Sequence, residues 1–487
     1  MASSTRTAGR PLTVIADLCA ELENAGIEYC HFKSTDALQR SATGENDLDL
    51  LIAEDDVARF RRVLRALGYV ESIGARSQDV PHVRHLYGLD REALRLVDVH
   101  AHERLIIGDD ATKNYRLPIE SAYLATAHRE GLFPVPEREL EFALFVVRMM
   151  LKHGSPEAIA TGRGRLSAKE REERTYLADG TVAEERWRTV ERAAPMLDRE
   201  LLNACLSSLE GDVSVASRLE TWRRLHRRLA PFARRKRASD IWLQLERRII
   251  GRSRRLLGRR PTKRPASGGR VIALVGSDGS GKSTVANGLS ELLSPAVSTV
   301  RMHLGKPPRS FSWRAVRGWL HIARRLGLRS ATVATPIGTT RASSATPSRT
   351  RLLIGALTAR DRRRAAERAR RLASRGAIVI CDRYPLPELA VDGPRGVDRP
   401  GDRVAGSLLE VERRAHERIP PPDLVVVLRV PADVARARRP EADPDVLEAR
   451  AREILDARWG AGVRIVDASG PRDHVLRAVA STVWETL

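Results

Sequence analysis

Nine residues constrain this chain more than any other stretch: Gly276-Ser277-Asp278-Gly279-Ser280-Gly281-Lys282-Ser283-Thr284. An apolar run, Val271 to Val275, precedes them, and an amphipathic stretch, Val285 to Leu293, follows. The spacing is G-x-x-x-x-G-K-[ST], the Walker A pattern, set between a buried strand and a helix. Glycines at these positions let the backbone curl until successive N–H groups point at one phosphate. The helix N-terminus adds positive potential. Lys282 is placed to reach the β- and γ-phosphates of ATP, and Ser283 to offer its hydroxyl to Mg²⁺. Gly276, Ser277, Gly279, Ser280, Gly281, Lys282, Ser283 and Thr284 are therefore the expected ATP contacts.

The rest of the chain is organised around this loop. A length of 487 residues leaves room for two or three domains. Strand-like runs at Val271–Val275, Val297–Met302, Ala377–Cys381, Leu424–Val430 and Val463–Val466 are mostly separated by helical segments. That alternation predicts an α/β fold with a doubly wound, parallel five-stranded sheet over residues 270–487. Ser330 to Arg349, rich in Ser, Thr, Ala and Arg, reads as a mobile insert, and 259–269 as a linker. Upstream, helical patterns at Leu12–Ala25 and Val57–Leu67 mix with strand-like runs at Ile27–Phe32, Asp47–Ile52 and Leu94–His100, which predicts a small α/β domain over 1–130. Residues 131–258 read as a helical middle region, with helical spacing in Leu140–Leu151, Met196–Leu209 and Val215–Leu229. Within it, Arg223 to Arg260 is dense in Arg, with Ile241, Leu243, Leu245, Ile249 and Ile250 available to bury one face.

The loop and the strands after it resemble the thymidylate kinase-like family of P-loop kinases. In that family an acidic residue at the third loop position faces the acceptor, and Asp278 matches it. Ile378-Val-Ile-Cys-Asp382-Arg383-Tyr384 resembles the family's Asp-Arg-Tyr/His motif, which implies Asp382 near Mg²⁺ and Arg383 orienting phosphates. Ala432 to Arg439 resembles the start of its lid, which makes Arg436, Arg438 and Arg439 candidates for stabilising charge on the transferring group. Val466-Asp467-Ala468-Ser469 resembles the family's last strand and turn, which places Asp467 near the adenine. Two acceptor-gripping segments depart from the family: Arg301-Met-His-Leu-Gly-Lys-Pro-Pro308 and Leu389-Ala-Val-Asp392-Gly-Pro-Arg395. The acceptor is thus left open among a nucleoside monophosphate, a nucleoside and a sugar-like metabolite.

A second motif lies near the N-terminus. Asp47 and Asp49, two apart on a strand, project from one face. Asp98, in Val97-Asp98-Val-His100, supplies a distant third carboxylate, and such a trio can hold one or two Mg²⁺ ions. With Lys33-Ser34 ahead of it, the arrangement resembles the nucleotidyltransferase superfamily, though Lys33 stands where a glycine is usual. His100 reads as a satisfied polar residue at a strand end, and His82 and His85 as structural.

Lys plus Arg number 84 against 62 Asp plus Glu, a net charge of +22. That balance suits anionic ligands and equally suits solvated, Arg-rich helix faces. Cys19, Cys30, Cys205 and Cys381 lie far apart, which argues against a disulfide framework or a cysteine zinc site and fits a reducing cytoplasm. Met1 to Pro11 lacks the apolar stretch of a signal peptide. No apolar run is long enough to span a bilayer, and Phe142–Leu151, with Arg148 inside it, reads as a buried helix. The reading that emerges is a cytoplasmic ATP- and Mg²⁺-dependent phosphotransferase with a small-molecule acceptor, fused to the nucleotidyltransferase-like domain. Nucleic-acid contact and homodimerisation stay open. Two alternatives are a nucleotide-gated regulatory or nucleic-acid-binding module, and a protein whose main activity is N-terminal nucleotidyl transfer.

Overall fold

The structure, a computed structural model, describes all residues except 1–8, 75–79, 110, 180–182, 212, 257–262, 306, 308–312, 316, 317, 319–321, 323–348 and 390–402. The expected insert up to residue 348, most of the Leu389–Arg395 segment and residues 259–262 of the expected linker therefore lie outside the described residues. The chain divides into two units, Met1–Thr262 and Lys263–Leu487.

In the first unit, β1 (Tyr29–His31), β2 (Leu48–Ile52), β3 (Val70–Ile73), β4 (Val83–Asp90) and β5 (Arg95–His102) pair in the order β1-β2-β5-β4-β3. Only β2 and β5 run parallel; the other pairs are antiparallel. Side chains alternate across the sheet. Leu48, Leu50, Ile52, Val97, Val99 and Ala101 join one core with Phe60, Leu64 and the helix α1 (Thr13–Asn24), through Ile15, Leu18 and Leu22. Phe60 and Leu64 belong to α2 (Val57–Ala66). Cys30, Phe32 and Leu51 point the other way and join a second core built on α3 (Arg138–His153). Strands β3 and β4 have no counterpart in the sequence reading. Gly88 of β4 admits the Tyr69 ring, since a Cβ there would lie 2.6 Å from it.

Around α3 pack α4 (Ala168–Ala178), α5 (Ala183–Ala193), α6 (Arg199–Glu210) and α7 (Val215–Leu229). Ser167 and Glu170 form a capping box that starts α4. Among the described residues of 131–258, the regular structure is helical apart from one short strand, Phe133–Val135, which pairs with His128–Glu130. The boundary drawn at 130/131 falls inside a single continuous core. The next helix, α8 (Arg237–Leu256), does not bury the expected face. Ile241, Leu245 and Ile249 are 48%, 50% and 63% exposed. Polar ties hold this helix instead: Arg247 donates to the Ala111 carbonyl at 2.6 Å, and Arg248 to Asp109 at 2.7 Å. No described helix is long and apolar enough to cross a membrane, and Phe142–Leu151 is a buried part of α3, as its Arg148 suggested.

The second unit is a parallel sheet of β6 (Arg270–Gly276), β7 (Thr299–His303), β8 (Ile378–Asp382), β9 (Leu424–Arg429) and β10 (Val463–Asp467), in the order β7-β8-β6-β9-β10. Every pair is parallel. The helices are α9 (Lys282–Leu293), α10 (Arg349–Ser374), α11 (Arg403–Glu417), α12 (Ala432–Arg438), α13 (Pro444–Asp456) and α14 (Arg472–Trp484). An alanine face of α10, including Ala365, Ala366 and Ala369, covers Val271, Ala273 and Val379. On α9, a Cβ at Gly288 would lie 2.7 Å from Leu476 of α14, so glycine there lets the two helices approach closely.

Phe145 is fully buried at the centre of α3. Replacing it with alanine leaves a cavity that helices packed on all sides cannot collapse. Phe145→Ala should cost the first unit about 3–5 kcal/mol in a chemical denaturation experiment; a loss below about 1 kcal/mol would contradict this packing.

Candidate active site

Strand β6 occupies the middle of its sheet, so its carboxyl end lies where the strand order reverses and ligand crevices open. The chain must turn there in very little space. A Cβ at Gly276 would lie 2.5 Å from Ser280 Oγ and 2.7 Å from the Leu428 carbonyl. Gly279 and Gly281 both have φ of +84°, a conformation that side chains with a Cβ resist. Gly281 then caps α9.

Lys282 begins α9 and folds back over the loop. Its Nζ donates to the carbonyls of Ser277 at 2.6 Å and Gly276 at 3.0 Å. Burial disfavours its charge and brings it down to about 8, despite the nearby Asp382 and Asp278. Ser283 Oγ donates to Asp382 Oδ2 at 3.0 Å. The other oxygen, Asp382 Oδ1, is buried without a hydrogen bond. His303 lies 3.6 Å from Asp382. Burial works to raise the Asp382 carboxyl, but His303, Lys282 and Ser283 together hold it below the usual range.

Asp278 sits between two guanidinium groups: Arg383 pairs with one oxygen and Arg450 of α13 with the other. Against the effect of burial, these arginines keep its carboxyl low. Arg383 itself has φ of +56°, which turns its side chain back toward the loop. A shallow cleft opens beside them, lined by Ser277, Asp278, Arg383, Tyr384, Leu389, Arg450 and Glu453 among others. Tyr384 is buried, and its hydroxyl donates to the Pro420 carbonyl at 2.6 Å.

The three arginines of α12 and its end divide by environment. Arg438 is tied to backbone carbonyls, at 2.8 Å from Ala468, 2.9 Å from Ser469 and 3.2 Å from Gly470. It fastens the turn after β10 and also reaches the Gly279 carbonyl of the loop at 3.5 Å. Arg436 lies 4.0 Å from Glu448, and Arg439 pairs with Glu441 at 2.8 Å; both are more than half exposed. Asp467 is exposed and accepts from the Ser469 N–H and hydroxyl at 2.9 and 2.6 Å, closing that turn. Ser277 and Ser280 are buried in the loop, whereas Ser283 and Thr284 open to solvent. Sequence reasoning missed Arg450 and gave His303 no role. Arg450 lies 172 residues from its partner, and no local pattern marks it.

In the first unit, Asp47 precedes β2 and is 59% exposed, while Asp49 is largely enclosed. Lys33 Nζ donates to Asp49 Oδ1 at 3.0 Å, and His102 Nε2 lies 3.0 Å from the same oxygen. Burial would raise Asp49, but Lys33 and the two histidines hold it well below the usual range. His100 is not at a strand end, because β5 runs on to His102. It lies 3.5 Å from Asp49 and 3.4 Å from Asp98. Although burial opposes its charge, these carboxylates push it up to about 10. The amides after β1 are also engaged: Lys33 N–H donates to Glu141 at 2.6 Å and Ser34 N–H to Glu173 at 3.3 Å. Burial pushes Glu141 up to about 7.

A parallel sheet whose central strand passes through a glycine-turned loop into a helix, with a lysine lying over that loop, is the architecture of a P-loop nucleotide-binding domain. Known proteins narrow the class. No family model matches the chain. A thymidylate kinase from Xanthomonas campestris pv. campestris is 32% identical over 230 residues, 45% of this chain and 85% of that protein. An uncharacterized ATP-binding protein, YghR, from Escherichia coli K12 is 27% identical over 225 residues, 44% of this chain and 86% of that protein. A thymidylate kinase from Thermomicrobium roseum is 33% identical over 138 residues, 25% of this chain and 60% of that protein. Over about 45% of its length, the chain belongs to the thymidylate kinase-like P-loop kinases.

The two positive-φ glycines separate conformation from crowding. A Cβ at Gly281 meets nothing within 4 Å, whereas one at Gly279 would lie 2.8 Å from the Ala435 carbonyl of α12. Gly281→Ala should cost about 1–2 kcal/mol of stability, the strain alone. Gly279→Ala should cost more, because α12 must also move. Thermal denaturation of both variants orders them, and equal losses would count against this reading of the loop.

Proposed function

We propose that the second unit transfers the γ-phosphoryl group of ATP to a small molecule held in the cleft beside Asp278. The observation that carries this reading is the pairing of a P-loop lysine with a second cationic centre. Lys282 lies on the loop, while Arg383 and Arg450 clasp Asp278 at the cleft. The thymidylate kinase relatives support a nucleotide-type acceptor. The departures in the two acceptor segments keep the class broader: a nucleoside monophosphate, a nucleoside or a sugar-like metabolite.

Each group then has a physical task. The loop amides and the N-terminus of α9 take the phosphates. Lys282 gives up the Gly276 and Ser277 carbonyls for the β- and γ-phosphates, where its charge opposes theirs. Mg²⁺ fits at Ser283 and Asp382, whose buried Oδ1 has no other hydrogen-bond partner; when bound, it would neutralise charge on the phosphates. Arg383 and Arg450 orient an anionic or hydroxyl-bearing acceptor, with Asp278 fixing both guanidinium planes. Arg436 and Arg439, exposed on and beside α12, would exchange Glu448 and Glu441 for phosphate oxygens as the site closes. Catalysis by such a site is positioning and electrostatics.

We do not assign nucleotidyl transfer to the first unit. Its Asp47, Asp49 and Asp98 arrangement resembles such a site. Lys33 occupies Asp49, however, and Glu141 and Glu173 take the amides that would meet a triphosphate. The pair Asp47→Asn with Asp49→Asn should therefore leave ATP turnover unchanged.

Acceptor-dependent ADP release, screened over nucleotides, nucleosides and sugars, tests the proposal directly. Lys282→Ala should lower that release by more than about 100-fold while the fold persists; unchanged turnover would sink the assignment. The lysine also sets a pH dependence. Lys282 is charged below about 8 and loses its proton above it. Phosphate binding favours the charged form, so ATP affinity should be level below that pH and fall above it, by up to about tenfold per unit. Calorimetry across this range checks the sign, and Lys282→Arg should remove the fall.

A further inference from the structure

The geometry points to a site for one borderline divalent cation of the Zn²⁺ class, held by His85, Asp98 and His100 on the polar face of the N-terminal sheet. Strand register brings these residues together. His85 on β4 stands opposite His100 on β5, with Tyr87 opposite Asp98 two residues along. On the other side of β5, Asp49 stands opposite His100. Because side chains two apart share a face, Asp98 and His100 project together while Val97, Val99 and Ala101 enter the core.

The donor atoms already converge. His100 Nε2 lies 3.4 Å and His85 Nδ1 3.9 Å from Asp98 Oδ1. One ligand atom from each of the three residues lies within 4.8 Å of the other two. The imidazole rings meet edge to face, with centroids 4.4 Å apart. Two of these atoms, His85 Nδ1 and Asp98 Oδ1, are buried and make no hydrogen bond. Buried polar atoms rarely stay unsatisfied, and a cation between them satisfies both at once.

The chemistry of the set selects the ion. Mg²⁺ wants oxygen ligands in octahedral geometry. A free trio of carboxylates is not what this face presents, since Asp49 is taken by Lys33 and His102. Two imidazole nitrogens and one carboxylate suit Zn²⁺ and its neighbours, the ion displacing the proton that Asp49 and Asp98 hold on His100. Three protein ligands leave a fourth position. It opens toward solvent on the His85 side, where that ring is 40% exposed, and Asp47 lies nearby, 3.9 Å from His100.

The test uses the full chain, stripped of metal with a chelator and titrated with Co²⁺, whose visible ligand-field absorption reports coordination. The expected result is saturation at about one equivalent. Zn²⁺ should quench the signal and excess Mg²⁺ should not. His85→Ala and His100→Ala should each weaken Co²⁺ binding by more than the roughly 100-fold upper end seen for outer-shell partners. Lys282→Ala, and His474→Ala at an exposed histidine elsewhere, should leave it intact. His100→Gln, checked by circular dichroism, separates ligand loss from misfolding. Absence of a saturable signal, its survival in both His85 and His100 variants, or its displacement by Mg²⁺ would overturn the site.

Discussion

Strand β6 is hydrogen-bonded along both edges, to β8 and to β9, and this double pairing decides where everything else can go. A strand held on both sides has one free exit, at its carboxyl end, and must leave over its neighbours' backbones. Register then sets the partners: Leu274 faces Asp382, and Gly276 faces Leu428. The crowding at Gly276, the turn through Gly279 and Gly281, and the meeting of Ser283 with Asp382 all follow from that alignment. Charge is added to a geometry the sheet has already imposed.

The N-terminal unit solves a different problem with the same two-residue period. One face of β2 and β5 is aliphatic and buried; the other collects Asp49, Asp98, His100 and His102. An enclosed row of this kind needs internal compensation. Lys33 provides it for Asp49, and burial with the Lys33 charge keeps His102 neutral by pushing it down to about 3. The carboxylates of Glu141 and Glu173 come from helices far along the chain and meet amides at the end of β1.

What the sequence made legible was what depends on local backbone chemistry. The loop glycines, Lys282 and Asp382 could be read because each is required by a turn or a strand end within a few residues. Arg450 could not, since its role comes from a helix folding back onto the loop. Arg438 shows a related ambiguity: a guanidinium bonded to backbone carbonyls looks the same in sequence as one aimed at a phosphate. Strands β3 and β4 escaped notice because Val83-Arg84-His85 carries polar residues on both faces and Gly88 interrupts the apolar run. The α8 face was assigned by apolar content, yet that helix is held by arginines reaching Asp109 and Ala111.

The shared core under β1 and α3 has an evolutionary reading. Cys30, Phe32 and Leu51 pack among residues of a helix more than eighty positions downstream. An exchange of gene segments near codon 130 would strip a greasy floor from one fragment and orphan two acidic side chains in the other. A break there would therefore weaken the α/β portion and its helices together, whatever either contributes to chemistry.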